Sequence, residues 1–308
     1  MEVITFILNI IIFKKINTLH LFIFLFSYPL LILISFLPYK ILYLISDLLS
    51  FFLYRIIKFR LKIVRKNLTL SFPKKTLNQI INIEKKFYDH LSDLIVEMIK
   101  NFSISKDEML TRYKFKNMEL IHNQEKKKKS TILILGHFSN WEGMVTIGSH
   151  LIGNSYGAYT PLTNKYYQKK IKTSRQKYGS FLLSRYKIFE FVESLKKSKD
   201  FGLLGFIGDQ SPKKESKSYF RNFMGVKVPV FTGAERIAKK YNYPVFFCKI
   251  KRIKRGFYEA EISTLALKPL EFKKNRITDL FFKKLEEQIK KKPSEYLWTH
   301  NRFKYMIN

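Results

Sequence analysis

The sequence has almost no cysteine. Cys248 is the single one among 308 residues, so a disulfide within the chain and a Cys-rich metal site are both excluded. Cys248 ends the apolar run Val245-Phe246-Phe247-Cys248, which indicates a buried structural thiol and not a nucleophile. The part of the chain outside any membrane is therefore consistent with a reducing compartment.

Several catalytic signatures are also missing from the sequence. There is no His-Glu-x-x-His pattern, and the histidines show no ligand spacing, so no metal site is predicted. A phosphate-binding Gly-rich loop of the nucleotide type is absent as well. Ser139 does not lie in a Gly-x-Ser-x-Gly turn, which disfavours covalent serine catalysis. No cofactor is expected.

Acidic residues are scarce. The sequence has 24 Asp and Glu against 57 Lys and Arg, and its formal net charge is +33. A protein with so large a positive charge usually has nucleic acid, an anionic membrane or an acidic substrate as its partner. Compositional drift is an equal alternative, because Lys, Ile, Asn and Phe are abundant together. The charge therefore permits an anionic partner without selecting one.

The longest apolar segment lies near the amino terminus. No formally charged residue occurs between Lys15 and Lys40, and a helix over this stretch is about 36 Å long, enough to cross a bilayer core. Pro29 leaves open one spanning helix or a re-entrant pair. The stretch is too long for a signal peptide and lacks a small-residue cleavage site. A buried amphipathic hairpin in a soluble protein is the alternative to a membrane anchor.

A second apolar run, from Ile41 to Tyr54, contains Asp47 and is expected at the membrane interface. The segment that follows it is crowded with basic residues: Arg55, Lys58, Arg60, Lys62, Arg65 and Lys66. The positive-inside rule puts this side in the cytoplasm, and the cluster would hold the domain against anionic headgroups. We therefore expect a membrane anchor with interfacial helices over residues 1–57 and a cytoplasmic domain over residues 58–308.

The rest of the chain alternates predicted helices and strands. Residues 73–123 show helical spacing, and three apolar runs at 131–135, 201–207 and 244–250 predict buried strands, with another strand possible at 257–262. Helices are predicted at 141–151, 232–241 and 277–292. This order predicts an α/β fold with a mostly parallel sheet flanked by helices. Ligands bind at the carboxyl ends of strands in such sheets, where His137 and Asp209 lie.

His137 and Glu142 are the first candidates for chemistry. His137 follows a predicted strand and Gly136, and a histidine at such a turn can act as a general base toward a hydroxyl. A nearby carboxylate would hold the imidazole tautomer and stabilise the imidazolium, as in hydrolase triads. A structural histidine is the more frequent reading of this spacing taken alone.

Residues 135–142, Leu-Gly-His-Phe-Ser-Asn-Trp-Glu, resemble the His-x4-Asp/Glu block of the lipid A biosynthesis lauroyl/myristoyl acyltransferases, a family of the glycerophosphate acyltransferase-like superfamily. Other blocks follow in the family's order over nearly the whole chain, at 65–68 with 71–73, 159–164 with Arg175, 208–210, 223–225 with 232–233, and 298–304. Two positions depart from the pattern. Thr160 stands where the family usually has Arg, and Lys165 follows Asn164 in place of Pro. Both departures affect the expected headgroup contact more than the chemistry.

The resemblance implies an acyltransferase that moves a fatty acyl chain from acyl carrier protein to a hydroxyl of a lipid A precursor. His137 would deprotonate that hydroxyl, and Glu142 would orient and stabilise the histidine. The enzyme would lie on the inner (cytoplasmic) membrane with its catalytic domain on the cytoplasmic face. Four further residues are expected to bind substrate: Arg175, Asp209, Asn164 and Arg302. The basic surface would steer the acidic carrier and the lipid phosphates to the site.

Each of these roles has an alternative. Arg175 is equally interpreted as a solvated helix-face charge, and Asp209 as a helix N-cap. Trp298, His300 and Arg302 either seat a headgroup or lock the final segment, and we expect Trp298 to be a packing residue. The acceptor could also be another glycolipid or a phospholipid, although the Trp-x-His-x-Arg ending fits the lipid A type better. A non-enzymatic protein that binds membranes or nucleic acid is disfavoured, and no nucleic-acid partner is expected.

Overall fold

The computed structural model describes residues 2–212 and 218–307, and it describes side chains from residue 18 onward. Of the predicted anchor, residue 1 and the side chains of residues 2–17 therefore lie outside the described part. The helices are α1 (Glu2–Phe36), α2 (Tyr39–Phe51), α3 (Leu61–Ser71), α4 (Leu77–Lys100), α5 (Lys106–Arg112), α6 (Glu119–Glu125), α7 (Lys165–Gln176), α8 (Ile188–Lys197), α9 (Gly233–Tyr241) and α10 (Arg276–Lys291). A π-helix follows α2 (Phe52–Ile56), and 3₁₀ helices lie at Trp141–His150, Pro269–Glu271 and Pro293–Glu295.

The strands are β1 (Tyr113–Lys116), β2 (Thr131–Leu135), β3 (Asn154–Tyr159), β4 (Ser180–Ser184), β5 (Gly202–Ile207), β6 (Tyr219–Phe223), β7 (Val226–Val230), β8 (Val245–Lys254) and β9 (Phe257–Ala266). Seven of them form one sheet in the order β1-β9-β8-β2-β5-β3-β4, and β6 and β7 form a hairpin. The pairings in the large sheet are parallel except that between β8 and β9. The predicted α/β fold with a mostly parallel sheet is confirmed.

Side chains of β2 alternate between two cores on opposite faces of the sheet. Ile132 and Ile134 belong to the larger core, which α3, α4, α8, α9 and α10 cover. Leu133 and Leu135 belong to the second core, which α5, α6 and the 3₁₀ helix Trp141–His150 cover. Helices thus flank both faces, and this explains why four of the five residues of β2 are apolar.

The predicted helical stretch over residues 73–123 is wrong at one point. It contains β1, which pairs in parallel with β9 at the edge of the sheet. The residues Tyr113, Lys114, Phe115 and Lys116 alternate apolar and charged side chains, the two-residue period of a strand with one covered face.

The first helix, α1, continues through Pro29 as one helix. Its segment Thr18–Phe36 is long and apolar enough to cross a membrane, and only 6% of it is buried. It contacts the rest of the protein through aromatic pairs with α7, in which Phe24 and Tyr28 meet Tyr166 and Tyr167.

The second helix, α2, buries two serines against α4 and exposes several large apolar residues. Ser46 donates a hydrogen bond to Asp93 at 2.7 Å and Ser50 to Asp89 at 2.6 Å, both on α4. On the opposite side the apolar residues are exposed, among them Ile41, Leu44, Leu48 and Phe51. A buried hairpin of a soluble protein would show the reverse arrangement, so α2 argues against that alternative.

Candidate active site

Two neighbouring strand ends form the centre of the site. Strands β2 and β5 pair in parallel with Leu135 opposite Ile207, so the residues that follow each strand meet at the same edge. The backbone N–H of Gly208 also donates to the carbonyl of Leu135 at 3.1 Å, which extends the pairing beyond the strands. His137 and Asp209 are consequently adjacent.

Asp209 holds His137 by two hydrogen bonds to one oxygen. Oδ1 accepts from the backbone N–H of His137 at 3.1 Å and from ring Nδ1 at 2.7 Å. Burial of Asp209 favours its protonated form, but the adjacent His137 ring and hydrogen bonds from His137 and Tyr296 outweigh this effect, so the pKa of the carboxyl lies below its ordinary value. The carboxylate is therefore ionised at neutral pH and fixes the proton on Nδ1.

The other ring nitrogen of His137 is left as an acceptor. The side-chain amide of Gln210 donates to Nε2 at 3.2 Å, and the Trp141 ring packs edge-on against the imidazole at 5.2 Å. The ring lines the main cavity and its side chain is 15% exposed. Nε2 is thus unprotonated, accessible and able to accept a proton, as a general base requires.

The structure does not bring Glu142 to the histidine, and the predicted catalytic role of Glu142 stays a prediction. Glu142 forms an ion pair with Arg175 of α7, and it accepts a hydrogen bond from the Trp141 indole at 3.2 Å. The reason is geometric: Glu142 lies in the 3₁₀ helix that turns away from the strand end, whereas Asp209 follows the neighbouring strand. The alternative of Asp209 as a helix N-cap is wrong, because it caps none of the described helices.

Arg175 and Glu142 both line the cavity beside His137. Their side chains are 24% and 19% exposed, so the pair is partly shielded from water. The interpretation of Arg175 as a solvated helix-face charge is therefore wrong. A guanidinium that faces a cavity retains donors for an oxyanion or a phosphate even while it binds one carboxylate.

The cavity beside His137 has a volume of about 790 Å³ and follows both faces of the sheet. On the face of the second core, a deep lobe lies between the 3₁₀ helix and three strands, lined by Met144, Val145, Ile147, Leu133, Leu203, Gly205, Gly157, Ser155 and Ser180. On the other face a shallower lobe is lined by Ile134, Phe206, Ile188, Phe231 and Phe281. Most of the lining is apolar, so the cavity suits a hydrocarbon chain.

A model of the family described as bacterial lipid A biosynthesis acyltransferase matches residues 12–305. The chain belongs to that family. The match extends from within α1 to the carboxyl-terminal segment, and it confirms the resemblance drawn from the sequence blocks. A comparison with curated proteins gave no match. The protein is therefore an acyltransferase, with a histidine at the edge of its largely apolar cavity.

Asn164 of this acyltransferase does not line the cavity. Its Oδ1 accepts hydrogen bonds from the backbone N–H groups of Tyr166 at 3.0 Å and Tyr167 at 3.2 Å, which makes it the N-cap of α7. Its Nδ2 donates to the carbonyl of His20 in α1 at 3.0 Å. The structure thus places Asn164 at the start of α7, where it joins α1, and its role in substrate binding stays a prediction.

Arg302 is also a structural residue. It is 1% exposed, donates to Ser211 Oγ at 2.8 Å and to the carbonyl of Pro229 at 3.1 Å, and stacks on Phe223 at 5.1 Å. It does not line the cavity, and its contact with substrate stays a prediction. Trp298 is 1% exposed, as expected for a packing residue.

His300 stabilises the same loop as Arg302. Its Nε2 accepts from the backbone N–H of Ser211 at 3.2 Å, two positions after Asp209. Burial lowers the pKa of His300 to about 4, so the ring is neutral at pH 7 and serves as an acceptor. The Trp-x-His-x-Arg ending thus locks the final segment against the loop that carries Asp209.

The sequence did not single out Arg185 and Arg236 at the rim of the cavity. The guanidinium of Arg185 lies 5.6 Å from the ring of Phe231, and that of Arg236 lies 5.1 Å from the ring of Phe189. Among residues 18–212 and 218–307, neither forms an ion pair. In a chain with 57 Lys and Arg, nothing local distinguishes these two from other surface cations.

A buried carboxyl, Glu97 of α4, supports the loop after His137. It accepts from Asn140 Nδ2 at 2.8 Å, from the Tyr258 hydroxyl at 2.9 Å and from the Tyr43 hydroxyl at 3.0 Å. Burial raises the pKa of Glu97 to about 7. The carboxyl thus connects α2, the sheet and the active-site loop.

We expect the contribution of Glu97 to the free energy of unfolding to fall as the pH rises from about 5 to about 8. The unfolded chain releases this proton near 4.5, whereas the folded state retains it to about 7, so the free energy of unfolding decreases between these values. In Glu97→Gln this component should vanish. Denaturant titration at both pH values measures the effect, with Glu271→Gln at an exposed carboxylate as the control. An unchanged pH dependence in Glu97→Gln would contradict the assignment.

Proposed function

We propose that the protein transfers a fatty acyl chain from an acyl carrier protein thioester to a hydroxyl of a lipid A precursor, with His137 as general base. The observation that carries the proposal is the geometry of His137. Its Nδ1 is bonded to the buried carboxylate of Asp209, and its Nε2 lines a largely apolar cavity. Membership in the family supports the same reaction class.

In the proposed reaction, Nε2 of His137 removes the proton of the acceptor hydroxyl while the oxygen attacks the thioester carbonyl. The new C–O bond forms, the C–S bond breaks, and the proton passes from the imidazolium to the departing thiolate. Asp209 stabilises the imidazolium. The amide of Gln210 occupies the hydrogen-bonding direction of Nε2, so the substrate hydroxyl would replace this donor on binding.

Arg175 is proposed to stabilise the negative charge that develops on the carbonyl oxygen, or to bind a substrate phosphate. Its guanidinium lines the cavity beside His137, and charge-assisted hydrogen bonds to such oxygens are among the stronger ones. Glu142 is then a positioning residue, since its carboxylate fixes the orientation of Arg175.

The lipid A precursor is proposed as acceptor on chemical grounds. Its phosphates suit a cavity rim that carries Arg185 and Arg236, and the carrier protein, which is acidic, suits the net charge of +33. Thr160, which replaces the family's arginine, also lines the cavity. This departure therefore lies where it would alter headgroup selectivity.

We propose that α1 and the exposed face of α2 attach the enzyme to the cytoplasmic face of the inner membrane. The apolar segment Thr18–Phe36 is exposed, and the exposed leucines of α2 continue the same kind of surface. The basic residues after α2 would then meet anionic headgroups. This arrangement would bring the cavity close to its lipid acceptor.

His137→Ala is expected to lower acyl transfer by about 10²–10⁴-fold through loss of the base, with the fold intact. Two readouts test this: transfer from acyl carrier protein in vitro, and mass spectrometry of lipid A from cells that lack the protein and regain each variant. His122→Ala, a histidine bonded to the carbonyl of His150, is the matched control. Activity of His137→Ala within a few-fold of the parent would overturn the proposed function.

Asp209→Asn is expected to lower kcat by about 10²–10⁴-fold, because an amide no longer fixes the proton on Nδ1 of His137. Glu142→Gln should act through Arg175 and leave the histidine oriented. Steady-state kinetics of both variants, with thermal melting as a check on folding, separate the two roles. If Asp209→Asn stays active while Glu142→Gln is inactive, Glu142 is the orienting carboxylate after all.

Deletion of residues 1–40 is expected to release the protein from membranes, because it removes the described segment long enough to span. Sedimentation with vesicles that contain anionic lipid measures the effect. If the shortened protein still pellets, Leu44→Glu in that background shows whether α2 suffices, with Leu270→Glu as the control at another exposed leucine. Retention in both shortened forms would contradict attachment through α1 and α2.

A further inference from the structure

Two glycines face each other in the wall of the deep lobe. Gly205 of β5 pairs with Leu133 of β2 on one side and with Gly157 of β3 on the other, and Gly157 pairs with Leu182 of β4. All four residues line the cavity. At this level of the wall, β5 and β3 therefore have no side chain, whereas β2 and β4 on either side of them each have a leucine.

Folding does not require glycine at either position. Neither residue is among those with a positive φ angle. A Cβ atom on Gly205 would have its nearest neighbour at 3.7 Å, and one on Gly157 at 3.5 Å, both ordinary contacts. Gly202 of the same strand differs, because its Cβ would lie 2.7 Å from the carbonyl oxygen of Asn154. Glycine weakens the interior of a strand, so the presence of Gly157 and Gly205 needs an explanation other than folding.

The pair lies part-way along the lobe. Ile207, near the edge that carries His137, and Leu203, deeper in the lobe, are four residues apart on β5, about 13 Å at 3.3 Å per residue. Gly205 lies midway between them. A chain whose reacting carbon is at His137 must pass the glycines to reach the level of Leu203.

We propose that Gly157 and Gly205 keep the passage to the bottom of the deep lobe open and thereby set the longest acyl chain that the enzyme transfers. This inference rests on the proposed function, since it assigns the deep lobe to the transferred chain. A side chain at either glycine would fill the passage, and the lobe would end at that level. The ligand recognised is an unbranched fatty acyl chain.

The test measures kcat/KM for acyl donors of graded chain length in the wild type, Gly205→Ala and Gly205→Val. For the longest chain that the wild type accepts, kcat/KM should fall about tenfold or more in Gly205→Ala and further in Gly205→Val, because single methylenes in a hydrophobic pocket have effects of this size. The shortest donors should be unaffected, and the melting temperature should stay equal or rise. Gly233→Ala is the control, since a Cβ on Gly233 would have no neighbour within 4 Å and this residue lies at the start of α9, in another part of the cavity wall.

A second readout separates this inference from the proposed function. Displacement of a fluorescent fatty acid by fatty acids of graded length reports on the lobe without any reaction. If the wild type transfers acyl chains and Gly205→Val keeps the same length preference, the inference is wrong and the function stands. If the wild type transfers none, the function fails, and the inference is judged by binding: loss of the longest fatty acids in Gly205→Val supports it, and unchanged binding overturns it.

Discussion

The parallel pairing of β2 with β5 is the constraint on which the site depends. It places Leu135 opposite Ile207, so the chain leaves both strands at one level and His137 meets Asp209. A shift of one residue in this register would turn every side chain of β2 to the other face and separate the pair. Ile132 and Ile134 belong to one core and Leu133 and Leu135 to the other, so the shift would also exchange the side chains of the two cores. The same register of β2 against β5 is thus required both for packing of the sheet interior and for the contact between His137 and Asp209.

Residues of the carboxyl-terminal segment also hold the loops that follow β2 and β5. Leu297 donates from its backbone N–H to the carbonyl of His137 at 3.0 Å, and Ser139 donates to the carbonyl of Glu295 at 2.8 Å. Further along, His300 accepts from Ser211. The carboxyl-terminal segment therefore contacts the loops that follow both β2 and β5. His300 and Arg302 contact Ser211 in the loop after β5, and neither lines the cavity.

The sequence predicted the central strands well because they are continuous apolar runs, and it located His137 and Asp209 because strand ends are easily recognised. It did not reveal β3 and β4, in which glycine, serine and tyrosine dilute the apolar pattern. Residue type alone also could not assign contacts. Glu142 has the right chemistry to orient a histidine, but the direction of its side chain follows from the 3₁₀ helix. Arg302 was predicted to bind substrate because a sequence motif does not show whether a residue is buried.

The contacts between α1 and α7 would link a bilayer, if α1 spans it as proposed, to the candidate active site. Tyr166 and Tyr167 pack on aromatic rings of α1, and the N-cap Asn164 is hydrogen-bonded to the backbone of His20. The same helix ends with Arg175 at the cavity. A transmembrane helix changes its tilt with the thickness of the bilayer. If α1 spans the membrane as proposed, a change in bilayer thickness would tilt α1 and move α7 with it. The guanidinium of Arg175 would then shift at the cavity, and membrane thickness would act as an effector of this enzyme.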